Sequence, residues 1–487
     1  MGKSSKSVTS NVIWKFAERV MAEMVTMVVS IILARLLSPG EYGAIAIVTA
    51  FIAIANTFVV SGIPTALIQK KDADALDYSS VFFFNLGFSA FLYLIIFFGA
   101  GYVASFYNMD ILRPVMRVMG LRLILAAVNS VQHSFVSKNM MFRKYFFSTL
   151  TGTVLAGVTG IIMAYTNFGV WALVAQYMIN TTVDTVFLWF TVRWRPKLAY
   201  SWSRVKSMLS YGWKILVEGL SNTVFSQLNN FIIGKVYTSA DLALYNKGMQ
   251  FPHAIVVNIS TAISSVLFPA MSIRQDNPDR VKQLLRKSVR GSSYLLFPML
   301  VGLAVAGRPL FIVLLTEKWV GSVPFLYIFC FTNLLTIGMY PRHQALKGIG
   351  RSDIFMYEHI LARVVSLVLL VSVYRISVMA IATVGVVSGL VLTATVMYTS
   401  KRFNGYSYTE QIKDVIPTLV GCVLMGVPVY SIQLLQLPAL PTLIIQILSG
   451  AAIYIAYSYI AKIGEFFFFL SYFKGIFFKG DIKGAQQ

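Results

Sequence analysis

Lys15, Glu18, Arg19 and Glu23 stand close together near the start of the chain, and about two hundred residues later Lys214 and Glu218 repeat the pattern four residues apart. Basic and acidic groups at i, i+3 and i+4 share one face of a helix. Such a face can close on itself as ion pairs, or it can hold an anionic ligand in a frame of cations. Both clusters lie inside apolar stretches long enough to cross a bilayer. A charge near the middle of a membrane helix costs at least about 2.5–3.5 kcal/mol and therefore turns toward protein, a partner charge or water.

The elements that must position these residues are helices. Of the 487 residues 57% are hydrophobic and 12% charged, and apolar runs of about 20 residues recur along the chain. That composition excludes a soluble protein, and a β-barrel would show shorter alternating segments. The fold class expected is an all-α polytopic membrane protein of about 14 transmembrane helices, near residues 11–37, 42–68, 79–106, 114–136, 146–165, 169–192, 209–236, 242–271, 292–315, 323–346, 354–374, 378–399, 415–434 and 441–461. The first apolar run is too long and too charged for a cleaved signal and is expected to stay as helix one.

Orientation follows from the 41 basic residues. With the N-terminus in the cytoplasm, 28 of them fall in inner loops and 6 at outer ends, Arg35, Arg113, Lys235, Arg308, Lys318 and Arg375; the other 7 lie within spans. Basic loops resist translocation, so both termini are expected in the cytoplasm and the helix number is even. The net charge of +22 is spread over short loops rather than gathered in one patch, which argues against nucleic acid as a partner. Arg274 to Arg290 is helix-compatible and is expected along the cytoplasmic face. Glu465 to Lys479, aromatic with Lys474 and Lys479, is expected as an interfacial anchor helix on membrane lipids.

A shift of 200 residues places Glu18 on Glu218, Arg35 on Lys235, Ser38 on Thr238 and Glu41 on Asp241. Six helices separate the two copies, so they run the same way through the membrane as parallel repeats. The expected organisation is a six-helix lobe at 1–200, a second at 201–400, and two extra helices with a cytoplasmic tail at 401–487. In helix one Lys15, Glu18, Arg19, Ala22, Glu23, Thr26 and Ser30 form one stripe, and in helix seven Ser210, Lys214, Glu218, Ser221, Asn222 and Asn229 form another. Seven basic residues in the spans, against Glu18, Glu23, Asp184, Glu218 and Glu358, leave an excess of positive charge for an anionic ligand. The bland alternative is that the charges only neutralise one another. Arg122, Asn129 and His133 share a face of helix four, Arg363 follows His359 by one turn, and Asp184 is a lone acid for which a structural partner or ion coupling are both open.

No catalytic residue, metal site or cofactor is expected. Cys330 and Cys422 lie in apolar segments, and the four histidines have no metal-binding spacing. Asp72-Ala73-Asp74 sits in a loop too short for a nucleotide domain, and Gly99-Ala100-Gly101 has no strand before it. No Walker A sequence is present, so the chain does not drive itself with ATP.

The run Ala34-Arg35-Leu36-Leu37-Ser38-Pro39-Gly40-Glu41-Tyr42-Gly43, followed by Ser61-Gly62-Ile63-Pro64-Thr65-Ala66-Leu67-Ile68-Gln69, resembles the polysaccharide-transporter branch of the multidrug/oligosaccharidyl-lipid/polysaccharide flippases, the Wzx-type and colanic-acid-type exporters. The resemblance extends over most of the chain. It implies two lobes around a central cavity lined by helices one, two, seven and eight. The implied substrate is an undecaprenyl-pyrophosphate-linked oligosaccharide flipped to the outer leaflet of the bacterial inner membrane, beside other membrane proteins of polysaccharide assembly. Lys15, Arg19, Lys214 and Lys247 stand where that group places cations and are the expected substrate-binding residues. Glu18, Glu23, Glu218, Arg122 and Arg363 are expected as cavity or coupling groups. The rival readings are a cation-coupled drug exporter, disfavoured by the basic excess, and a glycan polymerase or ligase, disfavoured by the short outer loops. A lipid II flippase is a near relative of the favoured reading.

Overall fold

The computed structural model describes residues 5–273 and 277–477, with side chains described at Trp14 and from 21 to 471 apart from 262, 265, 266 and 268. It divides into two compact units, Met1–Ala243 and Leu244–Gln487.

The first unit opens with α1 (Ser5–Leu36), α2 (Pro39–Val60) and α3 (Ile63–Gln69). α4 (Ala75–Tyr107), α5 (Leu112–Lys138), α6 (Phe142–Tyr165) and α7 (Val170–Thr191) follow. α8 (Trp202–Val236) completes it, and α9 (Ser239–Ser272) carries the chain into the second unit. There α10 (Pro278–Val305) and α11 (Gly307–Leu315) lead through a 3-10 turn at Glu317–Ser322 to α12 (Val323–Thr336) and α13 (Met339–Gly348). α14 (Ser352–Val373), α15 (Val378–Asn404), α16 (Tyr408–Lys413), α17 (Ile416–Ser431), α18 (Ala439–Ile460) and α19 (Gly464–Phe477) end it.

Ten stretches among the described residues are long and apolar enough to cross a membrane. α7 and α8 are long enough but more polar, and α1 and α9 run for 32 and 34 residues. These four stand where the remaining four of the fourteen spans are expected, and they are the ones bearing Lys15, Arg19, Asp184, Lys214 and Lys247.

The structure corrects several boundaries. The span expected at 42–68 breaks at Ser61-Gly62, because Gly62 takes a φ of 75° and Pro64 restarts the helix as α3. That turn also brings Gly62 against the backbone of Gly212 in α8, where a Cβ on Gly212 would stand 2.6 Å from the Gly62 carbonyl carbon. The basic segment expected to lie along the cytoplasmic face is instead, from residue 278, the first half of α10; nothing between Arg290 and Gly291 stops the helix, and Pro298 lies inside it. Residues 274–276 lie outside the described set. The spans at 292–315 and 323–346 each divide, at Ala306 and at Ile337-Gly338.

Within the first unit α1 packs on α6, α6 on α7, α4 on α5, and α2 against α5 and α8. Small residues allow the close approaches: Val29 of α1 sits over Gly157 of α6, and Thr57 of α2 hydrogen-bonds Thr223 of α8 at 3.0 Å. In the second unit α15 packs on α12 and α14, and α17 on α10 and α18.

Candidate functional site

The two turns that align in the sequence close in the same way. Ser38 caps α2: its backbone N–H and Oγ donate to Glu41 Oε2 at 2.7 and 2.8 Å, and Glu41 N–H donates back to Ser38 Oγ. Thr238 and Asp241 repeat all three bonds ahead of α9, at 3.1, 2.7 and 3.1 Å. Both are reciprocal capping boxes, and both fix how the following helix leaves its turn. Gly43 lies so near the second turn that a Cβ would meet the Ser239 carbonyl oxygen at 1.7 Å.

α8 buries Val205, Met208, Gly212, Ile233 and Gly234. Its polar stripe points elsewhere: Ser210, Lys214, Glu218 and Asn222 are exposed, and Ser221 and Asn229 are half-buried. Lys214 makes no hydrogen bond or ion pair with another described residue. On α1 the side chains of Lys15, Glu18 and Arg19 lie outside the described residues, as do the ion pairs expected of them; Glu23 and Thr26 are exposed. Trp14 rests edge-on against Phe146, with the Arg143 guanidinium 5.7 Å from its ring.

Lys247 differs from Lys214. It is 5% exposed, donates to Gln250 one turn on at 3.1 Å, and stands 5.6 Å from the Trp319 ring centroid. Its ammonium is thus enclosed within the second unit.

Arg122 is half-buried on α5, donating to Thr181 at 3.1 Å with its guanidinium 5.1 Å from the Tyr177 ring. Two and three turns farther along α5, Asn129 and His133 reach Asp184 of α7. Asn129 donates to Asp184 Oδ2 at 2.6 Å, His133 Nε2 lies 2.9 Å from that oxygen, and Ser148 of α6 donates to Oδ1 at 2.5 Å. Asp184 is therefore no lone acid. In the second unit Glu358, 2% exposed on α14, accepts from Thr399 of α15 at 2.5 Å, and His343 of α13 lies 3.2 Å from its other oxygen. Arg363 is half-buried a turn beyond His359, whose ring is 5.1 Å from that of His343. Ser148, His343 and Thr399 carry no motif that a single segment could reveal.

Other charges act as clamps. Asp74 of the Asp72-Ala73-Asp74 triplet caps α4, and the buried Asp77 beside it is held by Lys70 at 2.6 Å and Arg204 at 3.0 Å. In the second unit Arg286 forks onto Asp414 at 2.7 and 2.9 Å and reaches Glu410 at 3.1 Å, while Lys282 holds Glu410 at 3.0 Å. Tyr406 donates to Asp414 at 2.8 Å; burial pushes its phenol up, and that hydrogen bond adds to the shift, so the proton stays on the donor. Arg290 ties α19 to this network through Glu465 at 3.4 Å, and Phe469 stacks on Tyr294. The side chains of Lys474 and Lys479 lie outside the described residues.

Long helices with polar stripes, a capped turn repeated two hundred residues along the chain, and buried charges met by partners define a multi-span helical membrane protein. Its fold is shared with the solved lipid II flippase MurJ in an inward closed conformation, at a TM-score of 0.72 and 14% identity, over 93% of this chain and 98% of that one. Residues 32–324 match the family described as polysaccharide biosynthesis protein, and the chain belongs to that family. It is 23% identical to the succinoglycan biosynthesis transport protein ExoT of Rhizobium meliloti (strain 1021) over 92% of this chain and 91% of that one. It is 24% identical to the lipopolysaccharide biosynthesis protein WzxC of Escherichia coli (strain K12), over 66% of each.

Proposed function

We propose that this protein is a flippase that carries a polyprenyl-pyrophosphate-linked oligosaccharide repeat unit from the cytoplasmic to the outer leaflet of the bacterial inner membrane, for surface polysaccharide assembly. The observation that carries the reading is the polar stripe on α8, whose exposed Lys214 meets no partner among the described residues, in a chain of the polysaccharide biosynthesis protein family. It is a transporter rather than an enzyme.

The physics of the cargo asks for such a stripe. A pyrophosphate and its sugars lose tens of kcal/mol of hydration in hydrocarbon unless a protein replaces it, as an idealised upper figure. Cations and hydroxyls along one helix face supply charge-assisted hydrogen bonds to the phosphates and ordinary ones to the sugars. The polyprenyl tail needs no such help and stays in lipid. In this reading Lys15, Arg19 and Lys214 meet the phosphates, Glu18, Glu23, Glu218, Arg122 and Arg363 set the charge around them, and two six-helix lobes expose the site to each leaflet in turn with both termini in the cytoplasm. Other polysaccharide-assembly proteins of the same membrane are the expected neighbours.

Deleting the gene and extracting the lipid-linked sugars tests the reading. The expected result is a build-up of polyprenyl-linked repeat units with loss of surface glycan; unchanged lipid pools with full surface glycan overturn it.

A further inference from the structure

The His133–Ser148–Asp184 and His343–Glu358–Thr399 groups occupy the same places in two halves of the chain. His133 and Ser148 are fifteen residues apart, and so are His343 and Glu358. Each histidine stands five residues before the end of its helix, α5 or α13, and each second member six residues after the start of the next, α6 or α14. The third member comes from the helix that follows, α7 or α15. Residue types, however, are exchanged: the carboxylate is on the third helix in one half and on the second in the other, and the hydroxyl has moved the opposite way. A packing contact has no reason to keep one imidazole, one carboxylate and one hydroxyl while two positions change type. What is kept is a charge arrangement.

That arrangement has one natural ligand. In a low-dielectric interior an imidazole and a carboxylate sharing a single proton are neutral overall, whereas losing it or gaining a second leaves an uncompensated charge. The hydroxyl holds the carboxylate's far oxygen and the near one faces the imidazole; in the first unit that near oxygen also accepts from Asn129 at 2.6 Å, whose amide nitrogen lies 2.8 Å from His133 Nε2. In the second unit His343 Nε2 and Glu358 Oε2 face each other at 3.2 Å, and neither atom has a hydrogen bond of good geometry. In the first, His133 Nδ1 is buried and unbonded. In the second unit the proton is therefore not locked in place by other partners, and in the first the Asn129 amide is the one further group that meets it.

The surrounding charges are few and one-sided. Around His343 and Glu358 stand His359, Lys347 and Arg363, with Phe355 against both imidazoles and Arg342 turned to the Tyr406 ring; α15 adds the buried, neutral Ser400 and Asn404, with Lys401 and Arg402 exposed on its last turn. Around Asp184 stand Tyr145, edge-on to His133 at 4.8 Å, and Arg122 on its own partners, while Lys144 is bonded to the Thr191 carbonyl. α1, packed on α6, carries Lys15, Glu18 and Arg19, whose side chains lie outside the described residues.

We propose that each trio is a proton-binding site, and that the pair of them ties the transport cycle to protons. The inference rests on the transport reading above. A hydronium O–H bond breaks as an N–H bond forms on the imidazole, where the carboxylate balances the charge while the three helices stay packed; when they part the N–H bond breaks and the proton returns to water.

The test uses the purified full-length protein as wild type and with Asp184→Asn, Glu358→Gln or both, since carboxamides keep the shape and still accept from Ser148 and Thr399. Infrared spectra across a pH titration should show a carboxyl stretching band in the wild type that the double variant lacks; identical titrations overturn the proposal. In liposomes loaded with a pH-sensitive dye, movement of lipid-linked oligosaccharide extracted from a deletion strain should change lumenal pH, and the proton signal should fall about tenfold or more in each variant. Oligosaccharide movement by the wild type with no lumenal pH change overturns the coupling while leaving the transport reading intact. A wild type that moves no lipid fails the transport reading instead, and the infrared comparison, which needs no substrate, still decides whether the trios hold a proton.

Discussion

Lys214 and Arg286 are cations on long helices with opposite surroundings. Arg286 is forked onto Asp414, shared with Glu410, and backed by Lys282, Arg290 and Tyr406. Lys214 is exposed on a polar stripe and meets no partner among the described residues. A neutralised cation holds helices together, because removing it strands a buried carboxylate. An unneutralised one does nothing for the fold and keeps its field for a ligand. The same residue class therefore serves as a clamp in one region and as a candidate binding group in another, and burial with partners separates the two where composition does not.

Substitutions should pull that contrast apart. Lys214→Ala is expected to cut surface glycan by about tenfold or more, with protein level unchanged and stability within about 0.5 kcal/mol of the wild type. Glycan quantified on whole cells beside a blot of membrane protein checks it, and Lys214→Arg should restore much of the signal. Arg286→Ala should do the reverse: a loss of about 1–3 kcal/mol, discounted for its partial exposure, read as a lower melting temperature and lower yield. Tyr406→Phe removes one donor from Asp414 and should cost about 1 kcal/mol in the same assay. Smallest are the turns, where Ser38→Ala and Thr238→Ala should each cost about 0.5–1 kcal/mol and match one another, since both caps make the same three bonds. A large difference between the two caps would break the likeness of the repeats.

How much of this was legible in the chain depended on range. The paired turns could be read because a capping box spans only four residues, and the polar face of α8 because it repeats along one helix. The break at Gly62 was signalled locally by a glycine just ahead of Ile63-Pro64, yet the apolar run through it concealed the turn. α10 was misjudged because its basic first half and apolar second half read as separate elements, though no stop signal lies between them. Nothing in its own helix shows that Lys247 is covered; Trp319, some seventy residues away, covers it. The histidine trios draw on three helices each, with the carboxylate on a different helix in each half, so no single-helix period and no alignment by residue type could reveal them.

The central claim is that the polar face of α8 is wet and is reached from each leaflet in turn. Glu218→Cys, made after replacing the buried Cys330 and Cys422, puts a thiol on that face one turn from Lys214. With membrane-impermeant maleimide applied to right-side-out and then to inverted vesicles, labelling is predicted from both sides. Labelling from neither side, as for a face turned to lipid, or from one side alone under all conditions, contradicts the account.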